Sequence, residues 1–352
     1  QPTRDNAAPY AGKCAVAHRL ARRRLQSNAS QALWWSTQPA SECNCRSSQA
    51  CERKSLSMSR GPTQRGLNRY PDPQQNLVKE ALSKMKGISK EQILLGNGSD
   101  EVLDLIFRVF CEPREDNVIV LPPTYGMYEV LANINAIELV KIPLVENFQP
   151  NVKEIVKCQD AKTKVLFLCS PNNPTANSFN ASKIETLIKE FNGIVVIDEA
   201  YIDFSIEDSW LGRLDEFPNL IVTQTLSKAY GLAAIRLGIC YASKEIISIL
   251  NKIKPPYNVN QLTQDVALQS LLNQEKVKNN ITAIISERNL LIRDLENVEI
   301  VEKVFSSDAN FLLVQVDDAN LRYKQLVKLG IIARNPLFRL TSQSDVEEIQ
   351  AQ

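Results

Sequence analysis

Five short apolar runs, each followed at once by polar residues, constrain the fold of this chain most strongly. They lie at 118–121, 165–169, 194–197, 220–222 and 237–242. Near-continuous apolar strands that alternate with helices are typical of a mostly parallel sheet covered by helices on both faces. We therefore predict an α/β fold with a buried sheet.

Polar side chains follow these runs where the predicted strands end. In parallel sheets of this kind, ligands bind beyond the carboxyl ends of the strands. The sequence therefore predicts a binding site at this edge of the sheet. Its candidate residues are Tyr125, Asn173, Asp198, Tyr201 and Lys228.

A glycine-rich turn precedes the first of these runs. It lies at 96–100, after a predicted helix at 74–86 and a strand at 93–95, and helical spacing resumes behind it. Free N–H groups at the start of that helix would bind a phosphate. An ordinary helix cap made by Ser99 or Asp100 explains the same pattern, and this stretch alone leaves both interpretations open.

Lys228 follows the strand predicted at 220–222. Desolvation and neighbouring cations lower the pKa of such a lysine, which makes a neutral amine available for a covalent bond to a carbonyl carbon. The hydroxyls of Thr225 and Ser227 and the guanidinium of Arg236 suit a phosphate. A Ser-Lys pair after a strand usually has no function, so the other stretches must support the interpretation. Lysine and phosphate ligands together indicate pyridoxal phosphate.

Other residues at the strand ends suit the ring of that cofactor. A buried carboxylate such as Asp198 would keep the ring nitrogen protonated through a charge-assisted hydrogen bond. Tyr201 and Asn173 suit the 3-oxygen of the ring, and Tyr125 offers an aromatic face over it.

The composition of the whole chain argues against two classes of partner. The 352 residues carry a net charge of +1, with 44% hydrophobic and 23% charged residues. We therefore predict neither a nucleic-acid partner nor a membrane partner, since no strong charge and no apolar run of membrane-spanning length is present.

Residues 1–66 differ from the rest of the chain. Their net charge is +8 and that of the remainder is −7, and they hold the only histidine and four of the eight cysteines. These cysteines lack the paired spacing of a zinc site, so we predict no metal. Two interpretations stay open, an organellar presequence and a segment foreign to the fold. The other four cysteines are predicted to be buried free thiols of a reducing compartment: Cys111, Cys158, Cys169 and Cys240.

After Pro255 and Pro256 the pattern changes to longer helices and short strands, which predicts a smaller α+β domain. Its predicted helices are 261–273, 276–295 and 321–329, and its predicted strands are 298–304, 311–316 and 331–332. The predicted organisation is an atypical segment at 1–66, a large cofactor-binding domain at 67–254 and a small domain at 255–352.

Five motifs, in order, resemble those of the histidinol-phosphate aminotransferases, a family of fold type I, pyridoxal-phosphate-dependent enzymes. The resemblance covers residues 67–341. The motifs are Asn-Arg-Tyr-Pro-Asp at 68–72, Gly-Asn-Gly-Ser-Asp-Glu at 96–101, Ser-Pro-Asn-Asn-Pro-Thr at 170–175, Asp-Glu-Ala-Tyr at 198–201 and Thr-Leu-Ser-Lys-Ala at 225–229.

The resemblance implies a role for each candidate residue. Lys228 would bind the cofactor covalently and then move a proton, Asp198 would pair with the ring nitrogen, and Tyr201 and Asn173 would contact the 3-oxygen. Two arginines would bind the substrate, Arg334 near its phosphate and Arg339 at its carboxylate. The implied phosphate ligands are Gly98, Ser99, Asp100, Thr225, Ser227 and Arg236, with Tyr70 from the second subunit of a homodimer.

The chain also departs from the family. Ala176 and Ala234 stand where the family usually has glycine, and the loop between Arg334 and Arg339 is short. The family's N-terminal stretch that covers the substrate is absent from 1–66. Where the backbone needs a positive φ, alanine costs about 1 kcal/mol or more relative to glycine, and where φ is negative the exchange is neutral.

The sequence therefore predicts a cytoplasmic, homodimeric aminotransferase that acts on histidinol phosphate and 2-oxoglutarate. One alternative is another aminotransferase, or a phospho-amino-acid decarboxylase, of the same fold. A second alternative is a non-catalytic relative of these enzymes.

Overall fold

The computed structural model describes residues 67–334 of the chain, and within them lie nine strands and nine α-helices. The strands are β1 (Ile93–Asn97), β2 (Asn117–Val120), β3 (Glu138–Lys141), β4 (Thr163–Cys169), β5 (Ile194–Asp198), β6 (Leu220–Thr225), β7 (Leu237–Ala242), β8 (Val301–Val304) and β9 (Val314–Val316). The helices are α1 (Asn76–Lys86), α2 (Ser99–Phe110), α3 (Met127–Ile134), α4 (Val152–Cys158), α5 (Ala181–Glu190), α6 (Lys244–Ile253), α7 (Gln261–Leu271), α8 (Gln274–Leu295) and α9 (Ala319–Lys328).

Seven strands form one sheet in the order β1-β7-β6-β5-β4-β2-β3. Only β7 is reversed in this sheet, since it runs antiparallel to both of its neighbours and the other pairs among β2 to β6 are parallel. The predicted mostly parallel α/β sheet is therefore confirmed. The carboxyl ends of six strands lie at the same edge as the start of β7, and that edge carries the candidate site.

Both faces of the sheet are buried. In β4, Leu166 and Leu168 pack into the core on one face, whereas Val165 and Phe167 pack into the core on the other. This alternation follows from the two-residue repeat of a strand. Burial of each such side chain stabilises the folded protein by about 1.5–3 kcal/mol. The apolar runs of the sequence therefore predicted the strands of the buried sheet.

Polar residues set the starts of several helices. Asn180, Ser243 and Asn260 precede α5, α6 and α7, and the side-chain oxygen of each accepts a hydrogen bond from a backbone N–H of the first turn. Such caps satisfy donors that have no partner within the helix. At the other end of α1, Gly87 adopts φ 70° and its N–H donates to the carbonyl oxygen of Ser83.

The C-terminal part of the described chain contains a smaller antiparallel sheet, in which β8 pairs with β9. Together with α8 and α9 it forms the α+β arrangement that the sequence predicts, while the boundary at residue 255 stays a prediction. The strand predicted at 331–332 is wrong. Ile332 is 81% exposed and pairs with no strand among residues 67–334, so the two isoleucines resemble a strand in sequence only.

The predicted thiols divide into two groups. Cys111, Cys169 and Cys240 are buried and free, as predicted. The prediction is wrong for Cys158, which is exposed near the end of α4 with its thiol 3.2 Å from the Glu154 carboxylate. Between residues 67 and 334, every helix is too short or too polar to cross a bilayer.

Candidate active site

The ends of β1, β2, β4, β5 and β6 and the start of β7 surround one cleft at the predicted edge of the sheet. Cys169 and Ala200 are the two lining residues that were not among the predicted site residues. The cleft is lined by Ser99, Asp100, Tyr125, Cys169, Asn173, Asp198, Ala200, Tyr201, Thr225, Ser227, Lys228 and Arg236.

Two glycines shape the side of the cleft next to α2. Gly98 adopts φ 83°, and a β-carbon there would lie 2.5 Å from Nη2 of Arg236. A β-carbon on Gly238 would lie 2.2 Å from the backbone nitrogen of Ser99. Only glycine therefore allows β7 to approach the start of α2 this closely.

The start of α2 is free of a side-chain cap. Of the two interpretations left open for this turn, a helix cap made by Ser99 or Asp100 is wrong, because the cap position is Gly98 and Ser99 is the first helical residue. Within the described chain, no side chain accepts a hydrogen bond at that cap. The N–H groups of the first turn stay available for an anion, as the helix dipole favours.

Two hydroxyls and a guanidinium complete this side of the cleft. Thr225 Oγ1 lies 3.0 Å from Ser227 Oγ. Nη2 of Arg236 donates to Asp100 Oδ2 over 3.2 Å, and the Tyr125 hydroxyl donates to Asp100 Oδ1 over 3.0 Å. The glycine cradle, the free helix start and these donors fit the phosphate group of pyridoxal phosphate.

Asp198 ends β5 at the centre of the cleft, with only 3% of the residue exposed. Burial raises the pKa of its carboxyl group, whereas hydrogen bonds to the carboxylate favour the ionised form and act against that rise. The hydroxyl of Tyr128 donates to Oδ2 over 3.0 Å, and the backbone N–H of Ala200 donates to Oδ1 over 3.2 Å. A fixed carboxylate of this kind can hold a proton on a ring nitrogen.

Sequence reasoning missed Tyr128. Its phenol is buried, stacks on Phe167 with ring centroids 4.9 Å apart and meets the ring of Tyr125 edge-on at 5.7 Å. An aromatic residue three positions after Tyr125 was the available signal, but on α3 it resembles an ordinary core residue.

Lys228 lies in the cleft with its amine 5.1 Å from the ring centroid of Tyr201. Burial lowers the pKa of Lys228, the positive charges of Arg334 and Arg236 lower it further, and Asp198 opposes them. A lower pKa increases the fraction of neutral, nucleophilic amine at a given pH.

The two residues predicted to contact the ring oxygen lie together. Nδ2 of Asn173 donates to the Tyr201 hydroxyl over 3.3 Å. Burial raises the pKa of Tyr201, so its phenol stays protonated near neutral pH. The pair presents an amide and a phenol to the same point of the cleft.

Three predicted site residues in the described range do not line the cleft. Tyr70 is 81% exposed and stacks on Tyr257 with ring centroids 4.6 Å apart, outside the cleft of its own chain. Gly98 shapes the cleft without lining it, and Arg334 does not line it, although its charge lowers the pKa of Tyr201 as well as that of Lys228. Arg339 lies outside the described residues.

The two unusual alanines differ in conformation. Ala176 is fully buried with φ 66°, so it occupies the left-handed region that favours glycine. Ala234 lies in a short 3₁₀ turn and is not among the residues of positive φ in the described range. Strain of about 1 kcal/mol or more is therefore expected at Ala176 and none at Ala234.

Comparison with known proteins gives a consistent result. The family described as aminotransferase class I and II matches residues 52–350. Histidinol-phosphate aminotransferase of Flavobacterium johnsoniae is 60% identical over 280 residues, which cover 80% of each chain. The enzyme of that name from Christiangramia forsetii is 58% identical over 287 residues, which cover 82% of each chain.

Solved structures share the fold. Histidinol-phosphate aminotransferase from Clostridium acetobutylicum superposes with a TM-score of 0.71 at 25% identity, over 77% of this chain and 82% of that one. The protein of that name from Sinorhizobium meliloti, solved in complex with pyridoxal-5'-phosphate, gives a TM-score of 0.70 at 23% identity, over 76% of this chain and 75% of that one.

Proposed function

Because this chain belongs to the aminotransferase class I and II family, we propose that it moves an amino group between L-histidinol phosphate and 2-oxoglutarate with pyridoxal phosphate as its cofactor. One observation carries the proposal. The buried carboxylate of Asp198, the low-pKa amine of Lys228 and the glycine cradle next to α2 all belong to one cleft. The name shared by the 58% and 60% identical relatives supports this substrate.

When bound, pyridoxal phosphate supplies an electron sink for the carbanion that forms at the α-carbon of an amino substrate. The residues of the chain do the rest. Asp198 holds the proton on the ring nitrogen, because Tyr128 and the Ala200 N–H keep its carboxylate fixed. The amine of Lys228 would take the proton from the α-carbon of the amino donor and pass it to the cofactor. In the second half-reaction it would move a proton from the cofactor to the α-carbon of the glutamate that forms.

A cation near the amine supports a phosphorylated substrate. The positive charge of Arg334 lowers the pKa of both Lys228 and Tyr201. Guanidinium groups bind phosphate through paired, charge-assisted hydrogen bonds. We assign Arg334 to the phosphate of L-histidinol phosphate and Arg339 to a carboxylate of 2-oxoglutarate, since L-histidinol phosphate has no carboxylate.

The active unit in this proposal is a homodimer. Tyr70 is 81% exposed, stacks on Tyr257 and does not line the cleft of its own chain. We assign it to the phosphate site of a second subunit. Three buried free thiols suit a reducing compartment, and we assign the enzyme to the cytoplasm on that basis.

A direct assay tests the proposed function. The purified protein is mixed with pyridoxal phosphate, L-histidinol phosphate and 2-oxoglutarate, and glutamate formation is followed. We expect glutamate to appear with the wild type and not with Lys228→Ala. Release of carbon dioxide from a phosphorylated amino acid, without glutamate, would instead identify a decarboxylase.

A further inference from the structure

The strained residue Ala176 is held by a segment far away in the chain. Its carbonyl oxygen accepts a hydrogen bond from the backbone N–H of Asp308 over 2.7 Å. The carboxylate of the same Asp308 accepts a hydrogen bond from the backbone N–H of Ser178 over 2.9 Å. We call these two hydrogen bonds the Asp308 clasp.

The loop that the Asp308 clasp holds is closed on itself. The N–H of Ala176 donates to the carbonyl oxygen of Asn172 over 2.7 Å, and the N–H of Asn172 donates to the carbonyl oxygen of Asn177 over 2.9 Å. The Asn172 side chain is fully buried and bonded to Thr124 and the Pro123 carbonyl oxygen. The loop at 172–177 is therefore held at Asn172 by its core contacts and near Ala176 by the Asp308 clasp.

Asn173 lies within this loop and donates to the Tyr201 hydroxyl. The segment that carries Asp308 also contacts Tyr201. Ala309 is fully buried in a cluster with Ala176 and Tyr201, and the ring of Phe311 meets that of Tyr201 edge-on at 5.2 Å. Both members of the Asn173–Tyr201 pair thus depend on contacts made by residues 308–311.

We propose that Asp308 is a positioning residue. Through the Asp308 clasp it keeps Ala176 in the left-handed conformation and thereby fixes Asn173 beside Tyr201, where the two face the ring oxygen of the cofactor. Alanine disfavours a positive φ, so the Asp308 clasp stabilises a backbone conformation that glycine would adopt without such support. The inference rests on the proposed function, since it assumes that Asn173 and Tyr201 serve a bound cofactor.

The test compares four proteins: wild type, Asp308→Ala, Asp308→Asn and the double variant Asp308→Ala with Ala176→Gly. Each is titrated with pyridoxal phosphate, and the pH midpoint of the visible absorbance of the bound cofactor is measured. We expect Asp308→Ala to weaken cofactor binding about tenfold, since it removes a hydrogen bond to a charged acceptor. We also expect it to raise the pH midpoint, because the amide donor is no longer held at the ring oxygen.

Two variants show whether the effect passes through the loop. Asp308→Asn keeps an oxygen acceptor and should stay within about threefold of wild-type affinity. In the Ala176→Gly background, Asp308→Ala should also cost less than about threefold, because glycine adopts the positive φ without the carboxylate half of the Asp308 clasp. The backbone hydrogen bond from residue 308 to residue 176 is kept in every variant.

A matched control removes the same kind of hydrogen bond elsewhere. The carboxylate of Asp318 accepts the N–H of Leu321 over 2.9 Å at the start of α9. Asp318→Ala should leave the midpoint unchanged even if the melting temperature falls. An unchanged midpoint in Asp308→Ala, or an equal effect in the Ala176→Gly background, would overturn the inference. Failure of the wild type to gain visible absorbance would instead overturn the proposed function.

Discussion

The large sheet and the C-terminal part of the described chain bury their residues to very different degrees. Six of the seven residues of β4 are buried, whereas the 22 residues of α8 include one buried residue, Val277, and α9 includes none. Elements with few buried contacts open more easily than core strands. The groups assigned to the cofactor thus lie at the ends of rigid strands, while Arg334, assigned to the substrate, follows the weakly buried α9.

The largest expected effect tests the chemistry on the sheet side. Asp198→Ala removes the buried carboxylate that we assign to the ring nitrogen, and we expect a loss of several kcal/mol of transition-state stabilisation, or roughly a thousandfold in kcat/KM. The matched change Asp317→Ala, which breaks an exposed ion pair with Arg322 in the C-terminal part, should change kcat/KM less than about twofold. Full activity in Asp198→Ala would contradict the assignment.

The next effect tests burial itself with one substitution in each region. Leu168 in β4 is fully buried, and Leu321 in α9 is 44% exposed. Leu168→Ala should lower the free energy of unfolding by about 2–5 kcal/mol, and Leu321→Ala by less than about 1 kcal/mol. Denaturant titration of both variants measures the difference. Equal losses would show that the C-terminal part is as tightly packed as the sheet.

A smaller effect is expected on the pH dependence of cofactor attachment, because the charge of Arg334 in the C-terminal part acts on Lys228 beside the sheet. Burial is the main cause that lowers the pKa of Lys228, and the charge of Arg334 is the next. Arg334→Gln removes a like charge, so the pKa rises towards its ordinary value and less amine is neutral at a given pH. The rate of covalent attachment of pyridoxal phosphate should then reach half its maximum at a higher pH than in the wild type.

Absorbance after rapid mixing at a series of pH values measures that shift. The control is Arg293→Gln, which removes a cation from the exposed end of α8 and should leave the profile unchanged. A profile that does not move in Arg334→Gln would place the guanidinium too far from the amine to act on it.

The smallest effect is expected for the first residues of the chain. The family match begins at residue 52, and the basic composition of 1–66 differs from that of the remainder. Deletion of residues 1–51 should leave the melting temperature and the cofactor affinity close to those of the full chain. A large fall in either quantity would show that these residues contribute to the folded domain.

Much of the sheet could be predicted because its strands are apolar on both faces. The runs at 118–121 and 237–242 correspond to β2 and β7 within one residue. The sequence analysis missed β3, since its residues Glu-Leu-Val-Lys are only partly buried at the edge of the sheet. An edge strand has one neighbour, and its short half-polar segment resembles a loop.

Most residues that line the cleft could also be predicted, since ligands bind beyond the carboxyl ends of the strands in this fold class. Contacts between segments that are distant in the sequence could not be predicted. Asp308 bonds to Ser178, and nothing in the local sequence of either residue signals the other. The positive φ of Ala176 depends on that tertiary contact. The sequence therefore showed that alanine replaces glycine at this position, but it could not show whether φ is positive there.

The pairing of β1 with β7 has a consequence for how the protein is made. Gly96 lies opposite Gly238, and the N–H of Gly98 donates to the carbonyl oxygen of Arg236, although more than a hundred residues separate them along the chain. During synthesis, β1 leaves the ribosome first and has no strand beside it until β7 follows. The cradle that we assign to the cofactor phosphate therefore needs β7, and we expect a nascent chain that stops before β7 not to bind pyridoxal phosphate there.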